Sequence, residues 1–223
     1  MSLTLYYHPL ASFCHKVLIA LYENDTAFEK RLIDLSNAEE RAELRAIWPI
    51  GKFPVIRDHT RQRDVAETTI IIEYLDHHFL AEHRLIPDNW DDALEVRMWD
   101  RFFDNHVQGP MQQIVSDRIN GSHGDMSQPR ATLHTAYEMI ERHMDGRTWI
   151  SDYGFSMADC AAAPALFYAS IVHPFSEAHG HLSAYFDRLM EQPSVQRVID
   201  EARPYFSLFP FVDAMPERFL QDR

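Results

Sequence analysis

The sequence predicts an α/β domain followed by an all-helical one. Three observations carry this. Short β-like runs alternate with helical runs up to about Phe79, a stretch of little periodicity with a Pro-Asp-Asn turn follows at "LAEHRLIPDNWDD", and everything beyond it has helical spacing. The boundaries read as residues 1–80 for the first domain, 81–90 for the linker and 91–223 for the second domain.

The first domain opens with the strand candidate "LTLYY". "FCHKVLIALYEN" then sets Phe13, Val17, Ala20 and Leu21 on one helical face and ends at the turn formers Asn24-Asp25. "FEKRLI" is a second extended run. "NAEERAELRAIW" is an exposed helix with acidic residues in its first turn, where the helix dipole favours them. "KFPVIRD" and "RDVAE" form a hairpin pair, and "TTIIIEYLDHHF" is a helix with a stripe of Ile70, Ile71, Tyr74 and Leu75. The order is βαβαββα.

In the second domain, "DDALEVRMWDRFFDNHVQGPMQQIVSDRI" carries Leu94, Met98 and Phe102, with Trp99, Phe103 and Val107 alongside, as one wide apolar stripe. Gly109-Pro110 is expected to kink or break that helix. "NGSHGDMSQPR" reads as a loop. Helices follow at "ATLHTAYEMIERHM", at "LSAYFDRLMEQ" up to Pro193, and at "SVQRVIDEA". In "FSMADCAAAPALFYAS", Ser156 and Asp159 have the spacing of a capping box, with Phe155 and Cys160 placed as a hydrophobic staple. Asp159 is therefore expected to serve folding and not catalysis.

Composition narrows the function. The 223 residues, 46% hydrophobic and 25% charged, describe an ordinary folded chain. A formal net charge of −13 opposes a nucleic-acid partner, which needs clustered Lys and Arg. An anionic ligand would need local attraction from a helix N-terminus or a single well-placed cation. No signal-peptide pattern and no bilayer-length apolar run is read, so no membrane partner is expected and the cytoplasm is the expected location. Two cysteines far apart in sequence, Cys14 and Cys160, offer neither a disulfide framework nor zinc spacing. The pairs His77-His78 and His179-x-His181 lack further ligands, and no metal is expected.

The stretch "YYHPLASFCHK" sets a serine, a cysteine and a histidine within one turn at a strand-to-helix junction. Ser12 is either a helix N-cap or a hydroxyl donor. Cys14 beside His15 is either a buried thiol or a reactive one, and His15 reads as a solvated side chain on an exposed helix face.

The layout and four local strings resemble the cytosolic glutathione transferases: "YYHPLASFCHKVLIALYE", "WPIGKFPVI", "AETTIIIEYL" and "SMADCAAAPAL" stand in the family's order. The resemblance implies a thioredoxin-like first domain, a helical second domain, a homodimer, and glutathione as co-substrate, its thiol added to a small apolar electrophile. The position where serine-type and cysteine-type members carry their reactive residue is Ala11 here, which leaves Ser12, one residue on, as the implied catalytic donor. Lowering a thiol pKa from roughly 8.5 by about two units takes roughly 2.7 kcal/mol. A helix N-terminus supplies about 0.3–1 kcal/mol and a hydrogen bond to charge about 1.5–3, so hydroxyl and helix start together suffice.

The resemblance further implies that Ser12 and Phe13 lie at the sulfur, and that Phe53 precedes a cis Pro54 and pairs with the cysteinyl backbone. Lys52 would meet the glycyl carboxylate, Glu67 the γ-glutamyl ammonium and Thr68 its carboxylate. The electrophile pocket is expected between the domains, from His8, Leu10, Met98, Phe102 and Phe103, with Gln108 or Met111 further along. The aromatic tail "RPYFSLFPFVDAMPERF" either packs across the helical domain or lids that pocket. Two other readings stay open: a fold kept as a binding module without turnover, and thiol-disulfide exchange by Cys14.

Overall fold

The structure, a computed structural model, describes residues 2–79 and 84–221. The chain forms β1 (Leu3–Tyr7), α1 (Ser12–Glu23), β2 (Glu29–Leu32), α2 (Ala38–Ile47), β3 (Val55–Asp58), β4 (Arg63–Ala66) and α3 (Thr68–His78). The sheet runs β2-β1-β3-β4, with β1 parallel to β2 and antiparallel to β3, and β4 antiparallel to β3. Leu5 on β1 faces Lys30 on one side and Ile56 on the other. Tyr6, Ile33, Leu44 and Val55 form a small core that includes α2's buried Leu44, while the main core continues from Leu3, Leu5 and α1 into the second domain.

That second domain holds α4 (Trp90–Phe102), α5 (Gly109–Asn120), α6 (Ser127–His143), α7 (Met157–Val172), α8 (Gly180–Glu191), α9 (Pro193–Ala202) and α10 (Glu217–Leu220), with 3₁₀ turns at Arg203–Leu208 and Val212–Ala214. Helix α7 is its axis: every residue but Ser170 is buried, and it packs on α1, α4 and α5. Its start is closed as the sequence predicts. Asp159 Oδ2 accepts the Ser156 backbone N–H at 2.9 Å, and Oδ1 accepts the Tyr185 hydroxyl at 2.7 Å. Pro164 sits inside this helix, where it removes one backbone donor.

Several expectations are corrected. Gly109-Pro110 does not break the long helix. The irregularity moves upstream into a π-helical segment, Phe103–Gln108, where the Gly109 N–H donates to the Asp104 carbonyl five residues back. Pro110 has no N–H, so the widened turn keeps the helix continuous. The loop expected over residues 120–130 is shorter, because α6 starts at Ser127 and takes Pro129 into its first turn. The stripe on α4 splits: Trp99, Phe102, Phe103 and Val107 are buried, but Leu94 is 52% and Met98 49% exposed. Ile70 on α3 is exposed as well.

The expected linker overlaps residues 80–83, which lie outside the described residues. Its remainder is held down, with Leu85 buried and its N–H donating to Asp76 Oδ1 at 2.8 Å. The tail does pack inward, through Phe206 and Phe209.

Candidate functional site

Two helix starts meet one cavity. Helix α1 follows β1 through a turn in which the Ala11 N–H donates to the His8 carbonyl at 3.0 Å. Its N-cap is Ala11 and not Ser12, and no side chain caps it. The Cys14 and His15 amides donate to the Ala11 carbonyl at 2.8 and 3.0 Å. The amides of Ser12 and Phe13 find no acceptor among the described residues, which leaves the positive end of the helix dipole with two donors in hand.

Helix α3 begins in the same manner. Its N-cap is Glu67, and no side chain caps it. Glu67 sits at φ +69°, a left-handed conformation costing a residue with a side chain on the order of 1 kcal/mol or more. Such strain is held where the surroundings need a particular backbone direction.

Phe13, Lys52, Phe53, Pro54, Glu67 and Thr68 all line one cavity of about 620 Å³. The Phe53-Pro54 bond is cis. Lys52 and Glu67 are exposed and Thr68 is buried, so two opposite charges and one hydroxyl rim the same space. Sequence reasoning missed three further lining residues from the second domain: Arg101, Asp104 and Asn105.

Asp104 and Arg101 belong to a charge cluster across the junction of the halves, closed to solvent at Lys16 and Asp100 and half-exposed at Arg101. Lys16, only 1% exposed, places Nζ 2.6 Å from Asp100 Oδ1 and 2.8 Å from Asp104 Oδ2. The Thr69 hydroxyl donates to Asp100 Oδ2 at 2.6 Å, and Arg101 Nε donates to the same oxygen at 3.0 Å. Arg101 also reaches Asp104 and Thr69. Two cations face two carboxylates, which is how such charges tolerate burial. Burial raises the Asp104 carboxyl above its usual range, with Lys16 opposing. The available signal was Lys16 itself, one charge inside the apolar run of α1, matched by two aspartates four residues apart on the next long helix.

Ser12 is buried at the start of α1, and its Oγ accepts a hydrogen bond from Gln108 Nε2. With the oxygen held as an acceptor, the hydroxyl proton is left for another partner. Gln108 ends the π-helical segment that Pro110 entails. Ser12 does not line the large cavity. It lines a smaller one of about 170 Å³ with Leu10 and Met111.

The other expected pocket residues are dispersed. His8 stacks on Phe53 with ring centroids 6.1 Å apart, and burial lowers its pKa. Met98 lies on the exposed face, Phe102 lines a separate groove against α6, and Phe103 is wholly buried. Cys14 is 0% exposed, and burial pushes its thiol well up, away from the thiolate form. His15 is 1% exposed, not solvated, because α7 covers that side of α1. Its ring lies 5.6 Å from Tyr168, its Nε2 bonds the Pro9 carbonyl at 2.5 Å, and burial lowers its pKa to about 4. Among the described residues no group of three or more His, Cys, Asp or Glu is arranged to hold a metal, and no helix is long and apolar enough to cross a membrane.

Comparison with known proteins agrees with this architecture. The glutathione S-transferase N-terminal domain matches residues 1–77 and the glutathione S-transferase C-terminal domain residues 127–188. A glutathione S-transferase-like protein of Fusarium, LUC7, is 28% identical over 130 residues, covering 57% of this chain and 59% of its own length. A Methylobacillus flagellatus glutathione S-transferase solved with GSH bound superposes with a TM-score of 0.76 at 21% identity, over 88% of this chain and 98% of its own. Glutathione S-transferase unclassified 2 from Bombyx mori superposes over the full length of both chains with a TM-score of 0.83 at 14% identity. With a mixed four-stranded sheet, two open helix starts on one cavity, and both domain matches in order, the chain belongs to the glutathione S-transferase family.

Proposed function

We propose that the protein binds glutathione in the 620 Å³ cavity, holds its sulfur as a thiolate at the start of α1, and adds it to a small apolar electrophile. The observation that carries this is the convergence of Lys52, Phe53, Glu67 and Thr68 on one space beside the uncapped α1 amides. In this reading the Phe53 peptide pairs with the cysteinyl backbone as an added strand. Lys52 faces the glycyl carboxylate. The open α3 start with Thr68 holds the γ-glutamyl carboxylate. Glu67 and Asp104 face its ammonium, and the Lys16 cluster fixes Asp104 in place.

The chemistry asks only for a stabilised sulfur. The Ser12 and Phe13 amides and the Ser12 hydroxyl are its donors, and Gln108 keeps the hydroxyl proton free by occupying the oxygen. Exchange through Cys14 is disfavoured by that thiol's complete burial. The reading includes a homodimer, supported by the exposed Ile70, Trp90, Leu94, Met98 and Met139 on α3, α4 and α6; sedimentation at micromolar protein checks it, and a monomer there contradicts it. Calorimetry with glutathione tests the main claim. Saturable 1:1 binding is expected, and no heat of binding overturns it.

A further inference from the structure

The peptide group between Pro9 and Leu10 is held at both ends by imidazoles. Its carbonyl oxygen, on Pro9, accepts from His15 Nε2 at 2.5 Å, and its N–H, on Leu10, donates to His8 Nδ1 at 3.2 Å. A carbonyl oxygen only accepts and an amide N–H only donates, so these bonds fix where each ring carries hydrogen. His15 has it on Nε2, and His8 keeps Nδ1 bare, with its own hydrogen on Nε2. The arrangement needs a neutral His8. Burial favours this by lowering the pKa of both rings, with Asp34 opposing at His8 and the bond to Pro9 opposing at His15.

His8 also ties the turn down through its backbone. Its carbonyl accepts the Ala11 N–H at 3.0 Å, and its backbone hydrogen-bonds the Cys14 sulfur. Its ring stacks on Phe53 and meets Tyr205 of the tail edge-on, with centroids 6.1 and 6.0 Å apart. Ala11, the N-cap of α1, directly follows the clamped peptide, and the Ser12 and Phe13 amides come next. Turning the Pro9–Leu10 peptide over would break both imidazole bonds at once, so the clamp sets the direction in which the chain enters α1.

We propose that His8 is a positioning residue of the sulfur site: its unprotonated Nδ1 holds the Pro9–Leu10 peptide against His15 and so aims the Ser12 and Phe13 amides at the glutathione sulfur. The inference rests on the glutathione reading above. His8 acts on the thiolate through the turn, without touching the ligand. The role belongs to the acceptor atom and not to the ring. The bond runs from the His8 side chain to the amide two residues on, which is the span of an Asx turn, so an asparagine oxygen can replace Nδ1. Phenylalanine keeps a ring against Phe53 and Tyr205 and removes the acceptor. The two substitutions therefore separate positioning from packing.

The test titrates the thiolate absorbance of bound glutathione, at saturation, in wild type, His8→Phe and His8→Asn. His8→Phe is expected to raise the midpoint by about one unit or more, a tenfold or greater loss of thiolate over thiol, while His8→Asn stays within about 0.3 units of wild type. A midpoint unchanged in His8→Phe, or raised as far in His8→Asn, overturns the proposal and leaves glutathione binding standing. Failure of the wild type to bind glutathione overturns both. A second measurement decides even where a variant fails to fold. In the wild-type glutathione complex at neutral pH, nitrogen NMR of labelled histidine is expected to show hydrogen on Nε2 and none on Nδ1 for both His8 and His15. Hydrogen on His8 Nδ1 contradicts the clamp.

Discussion

Helices α1 and α7 lie against each other in the core, yet their starts are built oppositely. At α7 the donors are closed: the Ser156 N–H and hydroxyl, the Ile150 N–H and the Tyr185 hydroxyl all end on Asp159, at 2.7–3.3 Å. At α1 an alanine stands in the cap position, and the first two amides have no acceptor among the described residues. One start is completed by its own sequence and stabilises the fold. The other leaves its positive end for a ligand, which is what an anionic sulfur needs.

The largest expected effect is at the closed start. Asp159→Ala strands four buried donors, so urea unfolding should show a loss of about 3–5 kcal/mol. A loss under 1 kcal/mol would mean that the capping network is not what holds α7. Next comes the first turn of α1. Buried His15 has its pKa lowered to about 4, while in the unfolded chain it takes a proton near 6.5. The neutral ring's stability is fully present above pH 6.5 and is lost as pH falls toward 4, on the order of 3 kcal/mol. His15→Gln should flatten that part of the acid limb of unfolding, and an unchanged pH slope would contradict the burial. The smallest effect on stability is the sharpest for the comparison. Ala11→Asp supplies α1 with the cap it lacks, so the fold should gain about 0.5–1 kcal/mol while the thiolate band of bound glutathione disappears. Gain of stability with an intact thiolate band would separate the open start from sulfur binding.

The element order was legible because strand and helix periods change cleanly along the first 79 residues, and the Ser156-Asp159 box was legible because both partners are local. The open helix starts were legible only in part. Ser12 and Thr68 have the side chains of N-caps, but the backbone enters each helix one residue earlier, at Ala11 and Glu67, a matter of φ and ψ that residue identity does not carry. His15 was misplaced for a tertiary reason: it lies off the apolar stripe of α1, but α7 covers that side too. Arg101 and Asp104 lie off the apolar stripe of their helix, and nothing local says that Lys16, eighty-eight residues before Asp104, comes to meet them. Gln108 reaches Ser12 across ninety-six residues through a π-helical register that Gly109-Pro110 hints at only as a break. Long-range pairings of polar groups thus escaped, whereas apolar periodicity did not.

The central claim, that the open start of α1 with Ser12 holds a thiolate, is tested most directly by titrating the thiolate absorbance of bound glutathione. For wild type the midpoint should lie near pH 6.5, about two units below a free thiol of this kind, and Ser12→Ala should raise it by at least about one unit. A wild-type midpoint near 8.5, or one that Ser12→Ala leaves in place, would contradict the account.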